Sequence, residues 1–231
     1  MAAARPQMTE GSGGGTEGGG DQLPPLFRQA VDALIGTRPR QEVRLSELPA
    51  PQRLAPHSYA LEATVLAARG TAGGAGGSTE EEREELADGR FVLLHDPDGQ
   101  EAWQSTFRIV TLARAELEAE MADDPLLPEV TWSWLTGALE ARSAGYGEPS
   151  GTVTRVGSQF FGRLGDRPPE SELELRASWT PEGGSPTAAP ELAAHLTAWC
   201  ELLCQCAGLP PEGGDGAPVV PLPQRRGPRP A

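Results

Sequence analysis

The sequence predicts an α+β domain, one unit from Leu23 to Leu209 in which a mainly antiparallel sheet carries about three packed helices. Three observations lead there. Apolar/polar alternation recurs in short stretches, most plainly Tyr59–Leu61–Ala63–Val65 and Leu173–Leu175–Ala177. Three other windows repeat at helical spacing, each opening at a proline: Pro25, Pro128 and Pro190. The two kinds of stretch do not alternate regularly, as a parallel sheet of βαβ units requires.

Residues 1–22 are Gly-rich and polar, with too little apolar surface to offset the entropy of ordering, and are expected to form a disordered tail. Pro24-Pro25 then opens a helix with Leu26, Phe27, Ala30, Val31, Leu34 and Ile35 on its apolar side and Gly36 as its stop. Gln41–Leu45 is a short strand, and the three prolines of Leu48–Pro56 enforce an extended surface crossing. His57–Ala67 is a half-buried strand. Gly70–Asp88 reads as a flexible Gly/Glu-rich insertion, in which Ser78 and Glu81 resemble a capping box for a short solvated helix.

Phe91–His95 is a compact strand, followed by Asp96-Pro97-Asp98-Gly99 as a tight turn. The next stretch carries two conflicting signals. Phe107, Ile109 and Thr111 alternate with Arg108, Val110 and Leu112, which suits a strand, whereas 113–122 (ARAELEAEMA) favours helix. The β-branched centre favours a strand from Thr106 to about Ala115, antiparallel to Phe91–His95. Pro128 and Glu129 open a second helix, with Val130, Trp134, Leu135, Ala138 and Leu139 as its apolar face. Gly151–Phe161 and Glu172–Trp179 are two further strands, and a last helix carries Leu192, Leu196, Trp199, Cys200 and Leu203. The Pro/Gly-rich tail 210–231 is expected to be loosely extended.

The formal net charge of −14 disfavours nucleic acid and anionic lipid as partners, since both carry negative charge themselves. No window approaches the roughly 18 consecutive apolar residues of a membrane span, and the first 15 residues lack the apolar core of a signal peptide. Cys200, Cys204 and Cys206 are odd in number and crowded together, which fits reduced thiols in a cytoplasm better than a disulfide framework. All 19 basic residues are arginine and Ala, Gly and Pro abound, the coding bias of a GC-rich genome.

No motif specifies a chemistry. His95, Asp96 and Asp98, with Glu101 behind them, group a potential proton carrier with carboxylates, yet a plain turn requires the same Asp-Pro-Asp-Gly and the spacing of a Ca²⁺ loop is missing. His195 with the three cysteines falls short of a zinc set: His195 lies about 140° around a helix from Cys200, and no second pair completes four ligands. No Gly-x-Ser-x-Gly, phosphate loop or His-Glu-x-x-His occurs, and no cofactor or metal is expected. Arg38, Arg40, Arg44 and Arg53 cluster near the first helix, where Glu42 and Glu47 balance them. Trp132 and Trp134, two apart on one helix, cannot both point into the same core, and an aromatic at a rim is a common binding anchor. With Trp103 they mark a face for a protein partner, and a non-catalytic binding module is the expected function. A small enzyme working at the 95–98 turn is the alternative.

The strings LPAPQRLAP, VLLHDPDGQEAW, DPLLPEVTWSWL, GTVTRV, LELRASWTP and AWCELLC resemble, as a set, an actinobacterial family of unknown function, number three thousand in its series. The resemblance runs from about Leu26 to Leu209 outside the Gly/Glu insertion. It implies a bacterial cytoplasmic protein and brings no activity or catalytic residue with it.

Overall fold

The structure is a computed structural model and describes residues 23–51, 53–67, 83–185 and 187–210. Proline is preset for the first turn of a helix, where its missing N–H has no partner to lose. Helix α1 accordingly runs Pro25–Gly36 and buries Phe27, Ala30 and Leu34. Strands β1 (Val43–Leu48) and β2 (His57–Leu66) pair antiparallel, and the described residues of the proline-rich link between them form neither helix nor strand.

Strand β3 is longer than the compact apolar run, spanning Glu85–Gln100. Its first residues belong to the stretch expected to be insertion; they are strand because Glu85, Ala87 and Asp88 pair with β2. The proposed capping-box helix at Ser78–Glu81 and the two tails, Pro210 excepted, lie outside the described residues. Strand β4 (Ser105–Glu116) settles the conflict around residue 110 in favour of a strand. It is held on both sides, by β3 and by β6, and two ladders outweigh the helix propensity of its end. The helical preference survives only in the single turn α2 (Ala119–Ala122).

The Asp-Pro-Asp-Gly segment does not reverse the chain. It is an irregularity inside β3: pairing with β4 shifts between His95 and Gln100, and Gln100 already lies opposite Ser105. Asp96 accepts hydrogen bonds from the Asp98 N–H and the Gln100 amide, both at 3.1 Å, and Gly99 takes φ +75°. The side chain thus satisfies a local bulge rather than a hairpin. The reversal comes at a 3-10 turn, Glu101–Trp103, closed by Gln104 in the left-handed region.

After α3 (Leu127–Ala141) come β5 (Tyr146–Ser158) and β6 (Glu170–Pro181), then α4 (Leu192–Cys206). The six strands form one antiparallel sheet in the order β1-β2-β3-β4-β6-β5. The α+β expectation therefore holds, with three longer helices on the sheet.

Successive side chains of a strand point to opposite faces, and here the two faces differ sharply. Phe91, Leu93, Ile109, Leu175 and Trp179 lie on one face and are buried under the helices. Phe91 meets Trp199 of α4 at 5.6 Å between ring centroids, Trp132 of α3 lies over Gly151 of β5, and Phe27 of α1 packs by His57 and His95. Arg142, just past α3, pairs with Glu201 and ties α3 to α4. The opposite face carries Arg90, Val92, Val110, Leu112, Arg176 and Ser178, none of them fully buried.

Gly89 lets α4 approach. A methyl group there would lie 2.5 Å from the Leu112 carbonyl oxygen and 2.8 Å from the Trp199 ring. Because the first neighbour is backbone, Gly89→Ala must displace β4 or α4. Urea denaturation of that variant should show about 2–3 kcal/mol lost stability; an unchanged midpoint would mean that α4 does not sit this close.

Candidate functional site

The residues singled out by sequence separate into structural and surface groups. His95 is buried where regular β3 pairing ends, flanked across the sheet by His57 and Phe107. Its ring stacks on Phe107 at 4.2 Å and lies 5.8 Å from Phe27, and its Nδ1–H donates to the Thr106 carbonyl at 3.0 Å. Burial pushes its pKa below the usual histidine value, against the opposing pull of the Thr106 carbonyl. Asp96 is committed to the bulge and Asp98 is exposed. A cleft of about 950 Å³ opens beside His95, between the start of α1 and the 181–190 loop. Among the described residues the one carboxylate in its lining is Glu182 and no arginine joins it. A general acid–base site needs such groups to converge, and around His95 they do not.

His195 and the cysteines belong to the core of α4. His195 is buried, and its Nδ1 accepts a hydrogen bond from the Trp179 indole N–H at 3.1 Å. That bond places the ring proton on Nε2, and burial depresses the pKa to about 4. Cys200, Cys204 and Cys206 are buried thiols outside any disulfide; burial raises the Cys200 thiol far above its usual value and lifts Cys206 to about 12. Such thiols are unreactive hydrophobes. Among the described residues no three His, Cys, Asp or Glu side chains are placed to share a metal ion. Of the arginine cluster, Arg40 bonds Glu42 at 2.8 Å.

The tryptophans lie on two different elements. Trp132 and Trp134 are half-buried on α3, beside Leu126 and Val130, which are 62% and 37% exposed. Trp103 sits at the tip of the β3–β4 hairpin, half-buried, and its carbonyl accepts from the Thr180 hydroxyl at 2.6 Å.

The bare face of the sheet, opposite the helices, holds the chemistry that sequence reasoning passed over. Val92 pairs with Val110, and Leu112 lies between Arg90 on β3 and Arg176 on β6. Together with Ser150, Thr152 and Ser178 they line a groove of about 500 Å³. Beyond its end lies Arg108, only 7% exposed, whose guanidinium donates to Thr180 at 3.0 Å, Ser178 at 2.9 Å and Ser150 at 3.3 Å. Ser150 reaches this cluster because the β5–β6 register shifts between Gly147 and Ser150, a bulge that re-aims the side chain. The available signal was β4 itself, apolar at Val110 and Leu112 on the side facing away from its core residues.

Among the described residues, fold and face together define a two-layer α+β protein with one covered and one uncovered side of its sheet. The chain belongs to a family described as protein of unknown function (DUF3000), whose model matches residues 23–215. No curated protein and no solved structure matches it. Among the described residues no helix is long and apolar enough to cross a membrane.

His195 gives stability a pH dependence of definite sign. The unfolded chain takes up a proton below pH ~6.5 while the native ring resists until about pH 4. Stability is therefore expected to fall between those values by at most about 3 kcal/mol and to level off below them, as far as this group is concerned. Urea titrations of wild type and His195→Asn at pH 7 and pH 4.5 check this: the variant should lose most of the difference, and equal slopes would refute the assignment.

Proposed function

We propose that this chain is a non-catalytic cytoplasmic protein-binding module that docks an acidic, partly apolar segment of a partner on the bare face of its sheet. One observation carries the reading. An apolar floor of Val92, Val110 and Leu112 lies between two exposed arginines, Arg90 and Arg176, on a chain whose net charge is −14. Exposed apolar surface rimmed by charge marks interaction sites. The lining of the groove holds two arginines and no carboxylate, although Glu174 bonds Arg176 at its edge, and this favours an acidic partner over a second copy of the acidic chain. The groove is open along the strands and suits a segment of polypeptide better than an enclosed small substrate. The Trp103 carbonyl is bonded to Thr180, which also receives Arg108, whereas Trp132 and Trp134 belong to the helix layer.

Three buried thiols outside any disulfide support a reducing compartment. The arginine-only basic set supports an actinobacterial source with a GC-rich genome. The alternative, an enzyme at the 95–98 turn, has less support, because Asp96 is spent on the bulge and His95 on its stack.

A photo-crosslinking amino acid at Val110 or Leu112 in cells tests the reading, with Asp32 on the exposed side of α1 as control. Protein adducts are expected at the first two positions, and their yield should drop about tenfold, the equivalent of about 1.4 kcal/mol, when Arg90→Glu and Arg176→Glu are combined. Adducts no more abundant at Val110 than at Asp32, or indifferent to charge reversal, would overturn it.

A further inference from the structure

Arg108 poses a question of donor and acceptor accounting. A buried guanidinium is ordinarily matched by a carboxylate, because removing the charge from water is costly without an opposite charge nearby. Arg108 is 7% exposed and takes part in none of the ion pairs of the described residues. Its partners are three hydroxyls. Burial lowers its pKa, and the only charge that opposes this is Glu148, which acts through space. Glu148 is itself exposed, on the β5 bulge, with φ +47°.

A guanidinium has five N–H donors. Three of them serve Thr180, Ser178 and Ser150, which leaves two without a protein acceptor among the described residues. The Arg108 Nε–H is not sealed in, since Trp199 Nε1 is the one buried side-chain donor among those residues without a partner, so the Nε–H is open to solvent or a ligand. The hydroxyls, accepting from Arg108, must send their own protons elsewhere. That of Thr180 goes to the Trp103 carbonyl. Ser150 and Ser178 lie 3.1 Å apart, so one donates to the other and one O–H is left over. The cluster therefore offers spare N–H and O–H donors around a positive charge, and no carboxylate comes to meet them. Both serines also line the groove whose floor is Val92, Val110 and Leu112.

We infer that the Arg108 cluster is a seat for a carboxylate carried next to an apolar group, the group lying on the Val110–Leu112 floor. It deepens the reading of the bare face as a docking surface, and on that reading the carboxylate belongs to the partner's acidic segment. Glu148 is the internal charge that partly compensates Arg108 until the carboxylate arrives.

The test uses the full chain and two matched probes, N-acetyl-leucine and its uncharged amide, followed by NMR at the Arg108 Nε–H and the Val110 and Leu112 methyl groups. N-acetyl-leucine should shift all of these saturably, with a dissociation constant on the order of 1 mM, and the amide should bind at least about tenfold more weakly. Arg108→Met should abolish saturation. Glu148→Gln, an exposed change that leaves the fold intact, should tighten N-acetyl-leucine about threefold or more by removing the competing charge; it decides the matter where Arg108→Met does not fold. Equal binding of acid and amide, saturation that survives Arg108→Met, or no change in Glu148→Gln would each overturn the seat. So would inorganic phosphate binding as tightly as N-acetyl-leucine, since the apolar floor would then contribute nothing. Failure here is separable from failure of the docking face: adducts at Val110 that persist while N-acetyl-leucine does not bind refute the seat alone.

Discussion

The fold depends on how closely α4 can lie on β3. At Gly89 the strand has no side chain, and Trp199 and Leu203 occupy the space a methyl group would need. Burying a tryptophan removes about 150–250 Å² from water, worth about 4–6 kcal/mol at 25 cal/mol per Å². The indole N–H of Trp199 has no acceptor among the described residues, which costs about 1–3 kcal/mol. The packing gain exceeds that loss, so the ring stays on the strand. Phe91, Trp179 and the leucines of β6 gather around it, and the helices settle on that face.

Concentrating the helices on one face leaves the other bare among the described residues, and this asymmetry organises the surface. A sheet side with Val92, Val110 and Leu112 half-buried is an aggregation hazard unless its surroundings prevent self-pairing. Arg90 and Arg176 flank the apolar strip, and the rest of the molecule is acidic. Toward one end the charges neutralise one another: Arg114 bonds Glu174 at 3.0 Å, and Arg176 meets the same carboxylate at 2.8 Å. At the other end Arg108 has only hydroxyls. The face is thus electrically polarised along its strands, satisfied at the Glu172–Glu174 end and donor-rich at the Arg108 end.

Much of the fold was legible in the sequence because its local signals agree with its packing. The helices opening near Pro25 and Pro128 and the alternation in β2 and β6 describe faces that are in fact buried. The misreadings have physical causes. Asp-Pro-Asp-Gly satisfies a bulge and a turn equally well, and only pairing with Ser105 decides between them. Residues 85–88 look like the end of a polar insertion, yet β2 supplies backbone partners that composition cannot show. The site was harder still. Arg108 reads as an ordinary outward residue of an alternating strand; its burial depends on Ser150, Ser178 and Thr180, which come from 42 to 72 residues further along.

The contrast between His95 and Arg108 explains why the bare face, rather than the cleft, carries the functional argument. Both are polar side chains buried at the same end of the sheet, close along it since Arg108 pairs with Leu94. His95 resolves its burial internally: it is held neutral, donates to one carbonyl and stacks on Phe107. Its surroundings ask for nothing more. A guanidinium has no neutral state available in a protein, so Arg108 cannot escape the same way. Its hydroxyl partners satisfy some donors but supply no charge, and each returns a proton that needs its own acceptor. Burial thus turns a histidine into structure and leaves an arginine whose charge is met by hydroxyls and a distant carboxylate rather than by an ion pair.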